Sequence, residues 1–182
     1  MSLIVVSGPS GSGKTTIIGR LLDRLDLDFS VSATTRDPRP DEKDGIDYHF
    51  VTEDEFAALR DDGGLLEWAV YNGNCYGTPA EPIADSLSRG RDMLLDIEIL
   101  GARQVRERRP DATMIFIAPP SPAELEARLR GRGDTSAADI LGRLEIARVQ
   151  MEEAEELFDY IVVNEELDTA TAEVANLIIG SR

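Results

Sequence analysis

Leu3-Ile4-Val5-Val6-Ser7-Gly8-Pro9-Ser10-Gly11-Ser12-Gly13-Lys14-Thr15-Thr16-Ile17-Ile18 decides the fold. Residues 3–7 are a short apolar run that stops at glycine, the pattern of a buried strand. Over 14–25 the apolar residues Ile17, Ile18, Leu21, Leu22 and Leu25 recur at helical spacing. Strand, glycine-rich turn and helix together open a parallel α/β sheet.

Downstream the pattern changes. Residues 29–33, 46–51 and 65–71 predict short strands around one helix, with Thr52 and Glu55 spaced as a capping box at its start. A turn-rich stretch, Asp37-Pro38-Arg39-Pro40-Asp41-Glu42-Lys43-Asp44-Gly45, lies among them, so the segment reads as a small, partly antiparallel insertion. The α/β alternation then returns. Strands are predicted at 93–97, 114–118 and 160–163, and helices at 100–108, 123–130, 136–157 and 169–179. Ser121 and Glu124 make a second capping-box pair, and Gly131-Arg132-Gly133 breaks the helical pattern between two of those helices.

The chain of 182 residues suits one domain with inserts, and no repeat or low-complexity linker divides it. Thirty-five acids against 19 bases give a net charge of -16. A field of that sign repels nucleic-acid polymers and anionic membranes, so neither is an expected partner. No apolar run approaches the roughly 18 residues of a membrane span. The first residues carry no basic leader, and Cys75 has no second cysteine to pair with, which makes the cytoplasm the expected address. His49 and Cys75 read as ordinary surface and half-buried side chains, Trp68 as core, and the acidic run at 152–156 as a solvated helix face. No Cys/His cluster has zinc spacing.

The opening stretch also carries chemistry. Gly8-Pro9-Ser10-Gly11-Ser12-Gly13-Lys14-Thr15 satisfies G-x-x-x-x-G-K-[ST] between a strand and a helix. Glycines let main-chain N–H groups converge on phosphate oxygens, and the following helix turns its positive dipole end toward them. Lys14 would bring a mobile charge to the β and γ phosphates, and the Thr15 hydroxyl could ligate Mg²⁺. A lysine in a first turn opposes the helix dipole and needs an anionic partner there. Lysine occurs only at Lys14 and Lys43, every other base being arginine, so its retention here adds weight to that reading. None of Asn72, Asn74, Asn164 and Asn176 is followed by lysine, which excludes the N-K-x-D guanine motif of switch GTPases. A small kinase remains. Such an enzyme acting on a phosphorylated acceptor needs a second anion site, and Arg36 and Arg39, separated by a proline, form a stiff cationic hook suited to a phosphate. Tyr48 and Tyr76 could donate hydroxyls to the same oxygens.

With these motifs on the page the chain resembles the guanylate kinases. The resemblance rests on the phosphate loop, Ser32-Ala33-Thr34-Thr35-Arg36-Asp37-Pro38-Arg39, Glu42-Lys43-Asp44-Gly45-Ile46-Asp47-Tyr48, Leu66-Glu67-Trp68-Ala69 and Asn74-Cys75-Tyr76-Gly77-Thr78. Downstream, Arg128-Leu129-Arg130-Gly131-Arg132-Gly133 and Ile161-Val162-Val163-Asn164 continue it nearly to the last helix. It implies an α/β fold: a P-loop nucleoside monophosphate kinase core with a parallel sheet (1–31, 81–121, 144–182), a mixed, partly antiparallel GMP-binding insert (32–80) and a helical lid (122–143). It also implies reversible transfer of the ATP γ-phosphoryl group to GMP or dGMP, with Mg²⁺.

The residue roles follow from the same resemblance. ATP would be held by Gly8, Ser10, Gly11, Ser12, Gly13, Lys14, Thr15, Thr16, Arg132 and Asn164. GMP would be held by Ser32, Arg36, Arg39, Glu42, Tyr48, Glu67, Tyr76, Thr78, Asp96 and Glu98. Arg128, Arg132 and Arg143 would be the lid arginines; Lys14, Arg132, Arg143 and Asp96 would act in transfer, and Thr15 with Asp96 (through water) would hold the metal. Ionised Glu67 could accept from guanine N1–H and N2–H₂, donors that adenine lacks on that edge. The chain departs from the family pattern at Glu98, where a shorter aspartate is usual, and at Leu100, where a glutamine is usual. Two alternatives stay open: a related P-loop kinase with another phosphorylated acceptor, and a non-catalytic guanylate-kinase-like protein-binding domain. Oligomeric state is left open.

Overall fold

Alternation along the central strands sorts the apolar side chains onto two faces. The computed structural model describes residues 1–71, 73–131 and 137–181. Its first sheet holds β1 (Leu3–Ser7), β2 (Leu27–Phe29), β7 (Asp92–Asp96), β8 (Thr113–Ala118) and β9 (Tyr160–Val163), in the order β2-β7-β1-β8-β9. Every pairing in it is parallel. Leu3, Val5, Met93, Leu95, Met114 and Phe116 face α3 (Ala80–Ser88), α4 (Ile99–Arg108) and α6 (Ala137–Leu157). Ile4, Val6, Leu94, Ile115 and Ile117 face α1 (Lys14–Arg24) and α7 (Leu167–Gly180). Both faces are covered, as a parallel sheet requires.

The second sheet holds β3 (Ala33–Thr34), β4 (His49–Phe50), β5 (Leu65–Tyr71) and β6 (Asn74–Pro79), in the order β4-β3-β6-β5. It is mixed: β3 pairs parallel with β4, while β6 runs antiparallel to both β3 and β5. Its own small core gathers Ala33, Phe56 and Leu65 under α2 (Glu53–Asp61). Thr52 caps α2 with the reciprocal bonds expected of the Thr52/Glu55 pair, the Glu55 carboxylate accepting the Thr52 N–H at 2.8 Å. At α5 (Pro122–Gly131) only half of the expected box forms: the Glu124 N–H donates to Ser121 Oγ at 3.1 Å, while the Glu124 carboxylate takes Arg128 Nε at 3.1 Å. Leu125 and Leu129 of α5 join Ile140 and Ala147 of α6 in a separate cluster.

The strand expected over 29–33 is two strands in different sheets. The Ser30 N–H makes a last bond to Leu94 C=O, and by Ser32, whose C=O accepts from the His49 N–H, the chain has crossed to the mixed sheet. The strand expected over 46–51 shrinks to His49–Phe50, because residues 43–48 close a turn in which the Gly45 N–H donates to Tyr48 C=O and the Asp47 N–H to Lys43 C=O. Strand β6 and helix α3 were not anticipated. Asn74, Gly77 and Pro79 lower strand propensity in β6, and Pro82 sits in the first turn of α3, where its missing N–H costs nothing. Among the described residues no helix is long and apolar enough to cross a membrane.

Candidate active site

In an open parallel sheet, ligands collect at the carboxyl ends of the strands. The glycine-rich loop leaves β1 at that end, between β7 and β8, and Val6 is in register with Asp96 at the end of β7. Lys14, the first residue of α1, forms an ion pair with Asp96 through Nζ and Oδ1. Burial opposes the charge on Lys14, but Asp96 and Glu98 outweigh it and raise the lysine pKa, so the ammonium persists.

Unlike α2, helix α1 begins without a side-chain cap and without an acid in its first turn. Its N-cap, Gly13, has φ 89°. A Cβ there would also lie 2.3 Å from Asn164 Nδ2, so both the backbone and the neighbour demand glycine. Asn164 follows β9, is 4% exposed, and donates from Nδ2 to Ser12 C=O at 2.7 Å, tying the loop to the sheet. Ser12 Oγ is buried with no partner among the described residues. A glycine-rich loop at a helix N-terminus, with an orphaned hydroxyl and an ammonium beside it, has the chemistry to hold a polyphosphate. Arg143 of α6 reaches across to Ser10 Oγ at 3.4 Å. Arg128 of α5 turns instead to the Asn164 C=O at 3.0 Å. A cavity of about 340 Å³ beside the loop is lined by Gly11, Gly13, Thr16, Arg128, Asn164, Glu165 and Leu167. Thr15 is exposed in the first turn of α1. Arg132 lies outside the described residues.

The mixed sheet carries a second group of arginines, on the loop that follows β3. Thr34 and Thr35 pin the end of β3 to Cys75, Thr34 Oγ1 donating to the Cys75 C=O and Thr35 Oγ1 accepting its N–H, both at 2.9 Å. That fixes the start of the loop bearing Arg36. The Arg36 guanidinium gives both Glu42 carboxylate oxygens a bond at 2.9 Å and lies 5.4 Å over the Tyr48 ring. Arg39 is 74% exposed in its side chain, and its N–H donates to Glu42 at 2.8 Å. That N–H and the Arg36 guanidinium hold the Glu42 carboxyl below its ordinary pKa. Tyr48 packs edge-on against Tyr76, with centroids 6.0 Å apart. Burial lifts the Tyr48 phenol pKa, Asp96 and Tyr76 add to the rise, and Arg36 and Lys14 oppose it. The phenol is thus within electrostatic reach of both Lys14 and Arg36.

Glu67 of β5, in the same mixed sheet, is 5% exposed. Its Oε1 accepts the hydroxyl of Thr78, its partner in register on β6. Burial raises the Glu67 pKa, against the Thr78 bond and the charge of Arg108. A Cβ at Gly101 of α4 would lie 2.2 Å from Glu67 Oε2, so the carboxylate occupies space that only glycine leaves. Gln104 and Arg108, on the same helix, bond to the main chain on either side of Glu67. The sequence reading passed over this trio; its signal was the 101, 104, 108 spacing on one helix face. Ser32 joins the mixed sheet through its main chain, its C=O accepting the His49 N–H at 2.8 Å. Glu98 is exposed, with Gln150 Nε2 at 3.4 Å, and acts on Lys14 through its charge; Leu100 is 55% exposed.

A family model described as guanylate kinase matches residues 1–180. The guanylate kinase of Synechococcus sp. (strain JA-3-3Ab) is 50% identical over 177 residues, covering 97% of this chain and 81% of that protein. The guanylate kinase of Mycobacterium leprae (strain TN) is 47% identical over 182 residues, with 98% and 86% covered. Among solved structures, guanylate kinase from Anaplasma phagocytophilum superposes with a TM-score of 0.80 at 32% identity, over 98% of this chain and 85% of that one.

Proposed function

The chain belongs to the guanylate kinase family, and from that premise we propose that it transfers the γ-phosphoryl group of ATP to GMP or dGMP, reversibly, giving ADP and GDP. The observation that carries this reading is the buried carboxylate of Glu67, bound to Thr78 in the same mixed sheet whose β3 leads into the loop of Arg36. A carboxylate there meets two adjacent N–H donors of a base, and guanine offers two on one edge.

ATP would lay its phosphates in the loop of residues 8–16, with its base toward the neighbouring cavity beside Asn164. The GMP phosphate would displace Glu42 from Arg36 and take up Arg39, Tyr48 and Tyr76. Its base would lie against Glu67 and Thr78, with Ser32, Asp96 and Glu98 flanking. The acceptor oxygen of GMP is already anionic, so no protein base is needed. It attacks Pγ as the bond from Pγ to the β–γ bridging oxygen breaks, and ADP leaves. Lys14 exchanges Asp96 for the phosphates, and Arg143 with Arg132 neutralises the charge that spreads over the transferred group. Arg128 braces the loop through Asn164 before closure. The oxygen set of Thr15 and Asp96 suits Mg²⁺, a hard cation, which when bound would neutralise charge on the β and γ phosphates. The reading divides the chain into a core (1–31, 81–121, 144–182), a GMP-binding insert (32–80) and a lid (122–143), and assigns it to the cytoplasmic nucleotide pool.

The test is ADP production from Mg-ATP with GMP, dGMP, AMP, CMP and UMP, at low and high potassium chloride. Preference for GMP and dGMP is expected. Turnover favouring another acceptor would sink the assignment, and GMP binding without turnover at any salt would make the chain a binding module.

Two further results are expected. Arg39→Ala should weaken GMP binding by about tenfold, the loss of one charge-assisted bond, and leave ATP binding within error. Equal losses for both nucleotides in calorimetry would remove Arg39 from the acceptor site. The raised pKa of Glu67 has opposite consequences for folding and for binding. Ionising a buried carboxyl costs stability, so Glu67 lowers fold stability as pH rises from its ordinary value through the raised one. Guanine needs the anion, so GMP affinity should fall as pH drops through that same raised value. Glu67→Gln should flatten that limb of the GMP affinity profile, and an unchanged limb would assign it to another group.

A further inference from the structure

Strand β5 is the edge of the mixed sheet, paired on one side with β6. Helix α4 stands where a further strand would be. Gln104 donates from Nε2 to the Trp68 C=O at 2.6 Å and accepts the Trp68 N–H at Oε1 at 3.3 Å. That is the two-bond exchange a neighbouring antiparallel strand makes with one residue. One turn on, Arg108 Nη1 donates to the Leu66 C=O, with the Leu65 C=O at 3.4 Å. Between the two anchored residues lies Glu67, where the pairing of β5 with β6 shifts register between Leu65 and Glu67. Such an irregularity re-aims a side chain and leaves the strand locally free to bend.

We propose that Gln104 of α4, assisted by Arg108, is a positioning residue for base recognition: its side-chain amide stands in for a missing strand and fixes the direction in which Glu67 meets guanine. The proposal rests on the reading of Glu67 as the guanine carboxylate. A carboxylate that takes two donors of a planar base must be held to within about 0.5 Å. An edge strand bonded on one side alone does not supply that. The amide also fits this task better than a charged group, because it offers a donor to the C=O and an acceptor to the N–H at once.

The test is a double-mutant cycle read by equilibrium binding of GMP, IMP and ATP to the full chain. IMP lacks the 2-amino group, so its ratio to GMP reports the aim of the carboxylate. Gln104→Leu removes both bonds at similar volume. It should weaken GMP binding by about tenfold, the size of two net hydrogen bonds, narrow the GMP-to-IMP preference, and leave ATP binding unchanged. In a Glu67→Ala background the same substitution should cost under about twofold, because a residue acting through Glu67 has nothing left to position. Where Gln104→Leu fails to bind ATP, Gln104→Glu carries the same cycle, keeping the acceptor for the Trp68 N–H and losing the donor. Unchanged GMP binding, or an equal loss in both backgrounds, would reduce Gln104 to a strand clamp and overturn the proposal alone. A wild-type GMP-to-IMP preference in Glu67→Ala would overturn the guanine assignment and this proposal with it.

Discussion

Replacing Glu67 by alanine should lower kcat/KM for GMP by about 10³- to 10⁴-fold while KM for ATP stays within a factor of about two. The size follows from what the substitution leaves behind. Glu67 is 5% exposed and bound to Thr78, so the variant faces the guanine N1–H and N2–H₂ with an apolar hollow. Two donors that lost water on binding then have no acceptor, and sites built around such bonds discriminate far more sharply than apolar pockets do. Arg36, Arg39 and Tyr48, proposed to hold the GMP phosphate, are untouched, so residual GMP binding should survive with little preference over AMP. Gly101→Ala provides an independent route to the same result. Its Cβ would lie 2.2 Å from Glu67 Oε2, and the carboxylate must move off its aim. A loss of GMP affinity of at least about tenfold is expected. Steady-state kinetics with GMP and AMP on both variants checks the pair, and full GMP selectivity in Glu67→Ala would end the role assigned to that carboxylate.

Lys14→Ala should lower kcat by about 10³-fold, the loss typical of removing one preorganised charge from a site of transferring charge. ATP affinity should change far less, because the loop's main-chain N–H groups and the N-terminus of α1 remain. The lysine is charged before ATP arrives: Asp96 and Glu98 together outweigh its burial. Its pairing with Asp96 also sets its starting position, at the head of α1 and one strand away from β1. Arginine should not restore the rate, since a planar fork is not interchangeable with the compact, mobile ammonium that pairs with Asp96. Single-turnover kinetics separates transfer from binding. A wild-type transfer rate in Lys14→Ala would remove the residue from the mechanism.

Legibility in the sequence tracked the range of the interactions involved. The Thr52–Glu55 box is two residues three apart bonding each other, and it stands as read. The Ser121–Glu124 pair has the same spacing, yet Arg128, one turn further along α5, takes the glutamate and leaves half a box. Strand β6 is held by β3 on one side and β5 on the other, so pairing overrides the weak propensities of Asn74, Gly77 and Pro79. The break within residues 29–33 likewise depends on which sheet each half can join. No local signal marks the residue at which the chain crosses over.

By itself the sequence determined the parallel α/β core, the glycine-rich turn between β1 and α1, and the family, because each depends on spacing along one continuous segment or on blocks in a set order. The roles of side chains that meet across the fold were decided only by tertiary structure. Arg128, expected over the phosphates, braces Asn164, and Arg36 holds Glu42 in the place of an anion. Glu67 packs where a glycine on α4 leaves room, and Gln104, 37 positions further along the chain, bonds the main chain beside it. A carboxylate's pKa and aim are properties of the groups packed around it, and those groups come together only when the two sheets and α4 are assembled.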